Sequence, residues 1–381
     1  MNEQPHLLYI EADDSHACIL QRVLQKRSRL TVDRVSTLTD GLDRLLTANH
    51  PYDAILAALG LPDAADRLET VRRLHQANGT VPLVILTGLD DEQTAITALR
   101  YGAQDYIVKE NLREEGLFRS IRYAIERMAH DSFERALHIM KEQVESARGV
   151  QQMQFPKQAP ELPGFDVAGQ CQPASSCGGD YFDFFPLADG RQAVVLGDVT
   201  GHGLGPAMLA ASVRSVLRTL SRTHSDVGRI VQLANEVVRC DGWKEQFMTL
   251  ALCSLDPATG EGTFSGAGHD AVLLNPHGIV RRRFPAGNLP IGIVDGFESV
   301  AQNFRLHPGE MIVIVTDGIQ ETSNEEESLW GRERMMNGIT RSRKSTASEM
   351  IREAFEAARS FAGNVRQQDD MTAVCIRRLD T

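Results

Sequence analysis

The chain has 381 residues and a formal net charge of −11, with 42% hydrophobic and 24% charged residues. This composition is typical of folded globular proteins and excludes wholesale disorder, and the length predicts two domains with a connector. The acidic balance, without a basic run or a helix-turn-helix pattern, argues against nucleic acid as a partner.

The six cysteines are scattered without a Cys-x-x-Cys pair, which is typical of proteins in a reducing compartment. The first apolar stretch is too short for an export signal or a membrane span. We therefore expect a cytoplasmic protein that does not enter a membrane.

Residues 6–128 alternate short apolar runs with amphipathic stretches. The runs lie at 7–10, 31–35, 54–59, 82–87 and 105–109. Runs of this length predict β-strands, and the stretches between them predict helices. Five such units predict an α/β fold, a doubly wound five-stranded parallel sheet with its site at the carboxyl ends of the strands.

A long helical linker is predicted from residue 111 to about 153, because this stretch holds two glycines and no proline before Pro156. Two apolar series follow helical spacing: Leu117, Ile121, Ala124 and Met128, then Phe133, Leu137, Met140, Val144 and Ala147. Either the chain's own domains cover these stripes, or two protomers form a parallel coiled coil. We favour a homodimer through residues 117–153.

Residues 164–381 predict an α+β domain built on antiparallel sheets. Apolar strands are expected at 193–199, 248–255, 262–268 and 311–318, with helices near 204–221, 226–240 and 346–362. The predicted boundaries are therefore 1–128 for the first domain, 129–160 for the linker and 161–381 for the last domain.

Four acidic motifs mark the last domain: GGDYFD at 178–183, GDVTGHG at 197–203, TDGIQE at 316–321 and DDMT at 369–372. One Asp beside a glycine turn is usually only a turn, but four in one domain suggest a shared cleft. Carboxylates that converge repel one another unless cations lie among them, and hard oxygen ligands select Mg²⁺ or Mn²⁺. The pattern suggests a hydrolase that uses two metal ions to activate water.

The order GGDYFD, GDVTGHGLGPAML, FMTL, AGHD, LPIG, L-x-PGE, TDGIQE, WG and DDMT resembles the SpoIIE-type branch of the PPM metal-dependent phosphatases over roughly residues 164–378. The resemblance implies a β-sandwich flanked by helices and two divalent cations, Mn²⁺ or Mg²⁺. It also implies hydrolysis of phosphoserine or phosphothreonine on a regulatory protein. The substrate class that it implies is the anti-sigma-factor antagonist of a partner-switching pathway.

The same resemblance assigns roles by motif. Asp198, Asp317 and Asp369 are the expected catalytic residues: Asp198 would bridge the two metals, helped by the backbone carbonyl of Val199, and the other two would complete one site. Asp180 would serve the second metal.

Other residues of these motifs are expected to lie near the metal ligands. Asp183, His202 and Asp370 are candidates for supporting the metal ligands. His202 could act as a general acid or as a structural hydrogen-bonding group. His269 and Asp270, in the AGHD motif, are interpreted as loop packing.

The first domain resembles a response-regulator receiver over residues 6 to about 128. In working receivers an Asp after the third strand accepts the phosphoryl group, an acidic pair holds Mg²⁺, and a Thr and a Lys contact the phosphate. This sequence keeps Glu11, Thr87 and Lys109. The acceptor position, aligned on LGLPD, is Ala58, and the second acidic position falls on Ala12, with Asp13 one place later.

A methyl group cannot accept a phosphoryl group, so phosphorylation of Ala58 is excluded. Two accounts stay open: a natural pseudo-receiver, which we favour, or a chain in which both acidic positions were replaced deliberately. A histidine kinase or another receiver-binding protein is a candidate partner. For the whole chain we expect a phosphatase regulated by its receiver-like domain, the alternative being a catalytically silent, phosphatase-like binding platform.

Overall fold

The structure, a computed structural model, describes residues 5–25, 30–48, 52–88, 92–243, 246–296, 298–340 and 346–380. The chain divides into two compact units, Met1–Lys141 and Glu142–Thr381. In the described ranges, none of the helices combines the length and the apolar character that crossing a bilayer requires.

The first unit is built on a five-stranded parallel sheet flanked by helices. Its strands are β1 (His6–Ile10), β2 (Thr31–Val35), β3 (Ala54–Ala58), β4 (Leu83–Thr87) and β5 (Asp105–Val108), and its helices include α1 (Asp14–Gln25), α2 (Leu38–Thr47), α3 (Glu69–Ala77) and α4 (Glu92–Arg100). The strand order is β2-β1-β3-β4-β5, and every pair is parallel. The central strands β3 and β4 are buried along their whole length, as their continuous apolar runs predict. The predicted receiver-like fold is confirmed.

A single helix, α5 (Glu114–Gln154, 41 residues), follows the first sheet and confirms the predicted long helix. Its first apolar series is buried within the first unit, where Leu117, Ile121 and Ala124 pack with residues of the sheet such as Tyr9. These residues are therefore covered by their own domain. Farther along the helix, Phe133 is 68% exposed.

The second unit contains two sheets. The strands are β6 (Phe165–Gln172), β7 (Tyr181–Pro186), β8 (Gln192–Val199), β9 (Met248–Leu255), β10 (Glu261–Ala267), β11 (Ala271–Leu274), β12 (Val280–Phe284), β13 (Gly287–Asn288), β14 (Gln302–Arg305), β15 (Met311–Val315) and β16 (Met371–Arg378). One sheet has the order β13-β10-β9-β8-β7, with β14 also on β10, and the other has the order β12-β11-β15-β16-β6. All pairs are antiparallel except β10 with β13.

The two sheets of the second unit pack face to face, and their shared core includes Phe182, Leu196 and Ile312. The helices are α6 (Leu204–Leu220), α7 (Val227–Cys240), α8 (Asp317–Gln320), α9 (Gly331–Thr340) and α10 (Ala347–Ala362). Residues of α6 and α7 form a core with the six-stranded sheet, and residues of α9 and α10 form one with the five-stranded sheet. Alternation along each strand supplies an apolar side chain to both faces. The predicted β-sandwich flanked by helices is confirmed.

Candidate active site

Strand pairing places the first two predicted aspartates side by side. Strands β7 and β8 are antiparallel, with Tyr181 opposite Gly197. Asp180 immediately precedes β7, and Asp198 lies one residue from the end of β8. The two carboxyl groups therefore come from neighbouring strands at the same edge of the sheet.

The second sheet contributes the other carboxylates in the same way. Strands β15 and β16 are antiparallel, with Val315 opposite Ala373. Asp317 follows β15 at the start of α8, and Asp369 lies just before β16. The structure thus brings the ends of four strands, with their aspartates, to one edge of the sandwich.

Electrostatic coupling shows how close these groups are. Burial raises the pKa of Asp198 to about 7, and the charges of Asp317 and Asp369 contribute further. Burial also raises the pKa of Asp180 well above its ordinary value, and the neighbouring Asp198 adds to this effect. The pKa of Asp369 is raised by burial and then by Asp317. Without a cation, the cluster is therefore short of compensating positive charge.

The two carboxylate oxygens of Asp180 have different surroundings. This residue is 2% exposed, and its Oδ2 accepts a hydrogen bond of 2.9 Å from the hydroxyl of Thr316. Its Oδ1 is buried and, within the described residues, receives no hydrogen bond. A buried carboxylate oxygen without a donor is costly, and a hard divalent cation is a suitable partner for it.

The donor chemistry of the cluster therefore fits Mg²⁺ or Mn²⁺. Among the residues that the structure describes, however, no three His, Cys, Asp or Glu side chains are placed to hold one ion together.

Asp370, a predicted supporting residue, holds the backbone that carries Asp180. It is 3% exposed, and its carboxylate accepts hydrogen bonds from the backbone N–H groups of Ala174 (2.7 Å) and Asp180 (3.4 Å). His202 is exposed, and in its protonated form it lowers the pKa of Asp369. Its role as an acid or as a structural group stays a prediction.

The structure does not bring Asp183 to the cluster. Its carboxylate is fully buried and accepts two hydrogen bonds from Arg218, of 2.6 and 2.7 Å, and one of 2.9 Å from the hydroxyl of Tyr181. Asp183 therefore connects β7 to α6 through a bidentate ion pair. The expected support of the metal ligands by Asp183 has no counterpart in these contacts.

The two AGHD residues hold loops in place. His269 is buried; its Nε2 donates to the carbonyl of Val315 at 2.8 Å, and its Nδ1 lies 3.0 Å from the hydroxyl of Thr249. Burial lowers the pKa of His269, which favours the neutral ring. Asp270 forms an ion pair of 2.6 Å with Arg332.

Three residues near the cluster were not singled out from the sequence. Thr316 and Glu321 lie in the TDGIQE motif, which could have pointed to them. Burial and the charges of Asp317 and Asp369 raise the pKa of Glu321, which places it beside the cluster. The third, Gln151, contacts Gly178 from a distant part of the sequence, and nothing in its helical pattern indicates this contact.

The pocket of the first unit is organised differently. Glu11 is 3% exposed, and its Oε2 lies 2.5 Å from Nζ of Lys109. Its Oε1 accepts a hydrogen bond of 3.1 Å from the backbone of Asp13. Lys109, which would contact the phosphoryl group in a working receiver, is thus paired with a carboxylate.

The other positions that correspond to the receiver pocket are buried in the sheet or stabilise a helix. Ala58 and Thr87 are buried at the ends of β3 and β4. The carboxylate of Asp13 accepts hydrogen bonds from the N–H groups of Ser15 and His16 at the start of α1, and these bonds lower its pKa. Asp13 therefore stabilises the start of a helix.

Comparison with known proteins finds a family that matches residues of each unit. Residues 188–379 match the family Stage II sporulation protein E (SpoIIE), and residues 7–122 match the response regulator receiver domain. The fold and these matches define the class of protein as a receiver domain joined to a phosphatase domain of the protein serine/threonine type. The chain belongs to the SpoIIE family.

Individual relatives cover different parts of the chain. Protein IcfG of Synechocystis is 27% identical over 62% of this chain and 41% of its own length. Phosphoserine phosphatase RsbU of Bacillus subtilis is 23% identical over 69% of this chain and 81% of its own length. The SiaA-PP2C domain of Pseudomonas aeruginosa shares the fold with a TM-score of 0.56 at 18% identity, covering 64% of this chain and 98% of that domain.

Proposed function

We propose that this chain is a signalling phosphatase that hydrolyses phosphoserine or phosphothreonine on a regulatory protein when divalent cations are bound. The observation that carries the proposal is the group of four aspartates at one edge of the sandwich, where Oδ1 of Asp180 receives no hydrogen bond from the residues that the structure describes. The similarity to a protein described as a phosphoserine phosphatase supports the same chemistry.

Two ions, Mn²⁺ or Mg²⁺, would be held by Asp180, Asp198 with the Val199 carbonyl, Asp317 and Asp369. Bound ions would supply Lewis acidity and activation of water. The chain's own residues prepare the place for them: Thr316 fixes one oxygen of Asp180 by a hydrogen bond, which leaves the other oxygen available as a ligand.

A cavity of about 510 Å³ adjoins the cluster and offers room for a segment of a protein substrate. Asp369 and Glu321 line it on the side of the cluster, and Arg359 and Arg366 also contribute to its wall. Both arginines are exposed. Guanidinium groups favour phosphate and carboxylate partners, so this cleft suits an anionic phosphoprotein segment.

An anti-sigma-factor antagonist of a partner-switching pathway is the substrate that we propose, with the receiver-like unit as the regulatory part and a histidine kinase or another receiver-binding protein as its partner. We also propose a cytoplasmic homodimer. Its contact within residues 117–153 would use the exposed part of α5, where Phe133 and Met140 are 68% and 64% exposed. Sedimentation of the wild type should show a dimer, and the double variant Phe133→Glu, Met140→Glu should be a monomer. A monomeric wild type contradicts this contact.

The experiment that tests the proposed activity measures release of phosphate from a panel of phosphorylated antagonist proteins. Turnover of at least one of them should require Mn²⁺ and stop when a chelator is added. An absence of turnover with every phosphoprotein and either metal would contradict the proposal.

One observation favours a second candidate function, a catalytically silent binding platform: the side chains in the described residues are not arranged to hold an ion. A platform would bind its partner without metal, and binding would survive Asp198→Ala. The retained set of four aspartates argues for the enzyme, because a platform has no need of carboxylates that converge and repel one another.

A further inference from the structure

The last turn of α5 contacts the loop that carries Asp180. Nε2 of Gln151 donates a hydrogen bond of 2.7 Å to the carbonyl oxygen of Gly178, and the N–H of Gly178 donates one of 3.2 Å to Oε1 of Gln151. A single side-chain amide thus satisfies both polar groups of one peptide residue. We call this pair of bonds the Gln151 clasp.

Gly178 is two residues from Asp180, and its other side is packed against the site. A Cβ atom added at Gly178 would clash with Oδ2 of Asp370, so a larger residue there would displace this carboxylate. The carboxylate of Asp370 in turn accepts hydrogen bonds from the backbone N–H groups of Ala174 and Asp180. The segment before β7 is therefore held from one side by Asp370 and from the other by Gln151.

Separate contacts fix the end of α5 on the second unit. The carbonyl of Gln154 accepts a hydrogen bond of 3.0 Å from Nε of Arg214, and Phe155 stacks on Phe182 with 5.5 Å between ring centroids. Arg214 also lies 3.6 Å from the buried carboxylate of Asp183. These contacts do not involve the loop at 177–180, so Gln151 reaches that loop from an independently anchored helix end.

We infer that Gln151 is a positioning residue for the metal site: its clasp on Gly178 sets where the backbone of Asp180 lies, and so links the end of the linker helix to this ligand. The inference about metal rests on the proposed function. The clasp holds the backbone that carries Asp180 before an ion binds, and a ligand held in advance lowers the conformational cost of binding. A displaced helix end would remove that restraint.

The experiment compares Gln151→Ala and Gln151→Glu with Gln152→Ala, a matched control at an exposed neighbour in the same turn. Glutamate keeps the size of the side chain but cannot donate to the Gly178 carbonyl. In metal-free protein, hydrogen exchange of the amides at 177–180 should accelerate in both Gln151 variants. Calorimetry with Mn²⁺ should show affinity reduced about 10-fold in both, with the control unchanged.

The two measurements separate the clasp from the proposed function. A wild type that binds no Mn²⁺ contradicts the proposed function, while the exchange rates still decide whether the clasp restrains the loop. If Gln151→Ala matches Gln152→Ala in exchange at 177–180 and in Mn²⁺ affinity, the inference is wrong. The inference is also overturned if Gln152→Ala shows the same faster exchange at 177–180 and the same loss of Mn²⁺ affinity, because the effect would then come from the helix end in general.

Discussion

The two units each contain a buried acidic site, and they balance its charge in opposite ways. In the first, the carboxylate of Glu11 is paired with Lys109 at 2.5 Å. In the second, the described residues show no salt bridge from Lys or Arg to Asp180 or Asp198, and both have a raised pKa. One site contains its own cation, and in the function that we propose the other would take its cations from solution.

The difference lies in whether the carboxylates of a site are already paired with a positively charged side chain. A buried carboxylate that is already paired has little to gain from Mg²⁺, and Ala58 offers no acceptor oxygen. A cluster of unpaired carboxylates gains a large electrostatic stabilisation when a divalent cation enters. The comparison therefore agrees with the proposal that the second unit carries the chemistry and that the first has a regulatory part.

The largest expected effect is on activity in the second unit. Asp317→Asn removes one of the charges that raise the pKa of Asp198, and a ligand of the proposed site. We expect kcat/KM to fall about 1000-fold, which corresponds to about 4 kcal/mol, with little change in the fold. Asp295→Asn is the control, since Asp295 is exposed and paired with Arg239. Equal activity of the Asp317 variant and this control refutes the assignment.

In the first unit, Lys109→Met leaves the buried carboxylate of Glu11 without its partner. We expect a loss of stability of about 3 kcal/mol, because an unpaired buried charge keeps its desolvation penalty. Urea denaturation followed on the first unit measures it, with the exposed Lys141→Met as control. An unchanged midpoint would show that Glu11 is not held by Lys109.

Asp198→Asn should have the opposite sign in metal-free protein. Removing a carboxylate that repels its neighbours should stabilise the second unit at pH 8 on the order of 2 kcal/mol, while any stabilisation by Mn²⁺ disappears. Thermal denaturation with chelator and with Mn²⁺ measures both. A variant that is less stable than the wild type in chelator contradicts the proposed repulsion.

The pH dependence follows from the same group. The pKa of Asp198 rises from 3.8 to about 7 on folding, so the folded state binds the proton more tightly than the unfolded state. Its contribution to stability is complete below the unfolded value and is lost as pH rises through the folded value. The metal-free second unit should thus lose stability between about pH 4 and pH 7, and Asp198→Asn should flatten this slope.

The smallest effect is expected from a mimic of receiver phosphorylation. Beryllofluoride with Mg²⁺ should leave the phosphatase activity of the wild type unchanged, because Ala58 has no oxygen to bind it. A change of activity with beryllofluoride in the wild type, and an equal change in Lys109→Met, would show that another residue binds the mimic. The proposed difference between the two sites would then be wrong.

The sequence predicted the elements well because the apolar patterns are strong. Strands β3 and β4 are continuous apolar runs, and α5 is a long stretch without proline. The aspartates could be assigned to one cleft because each lies at a strand end or beside a glycine turn, and the structure places Asp317 close enough to raise the pKa of Asp198.

Side-chain partners were harder to predict. Asp183 shares its motif with Asp180, but strand alternation places it on the same face as Tyr181, where Arg218 pairs with it. The apolar pattern of α5 is the same whether the helix packs on its own sheet or on another protomer. The structure shows that Leu117 packs on its own sheet. The ion pair of Glu11 with Lys109 joins residues far apart in sequence, so periodicity carries no information about it.

The most direct test of the account is calorimetric titration of the metal-free full chain with Mn²⁺ at pH 8. The account predicts saturable binding by the wild type that is lost in Asp198→Asn and retained in Lys109→Met, because the ion compensates the aspartates of the second unit and not the pocket of the first. Identical titrations of the wild type and Asp198→Asn would contradict it.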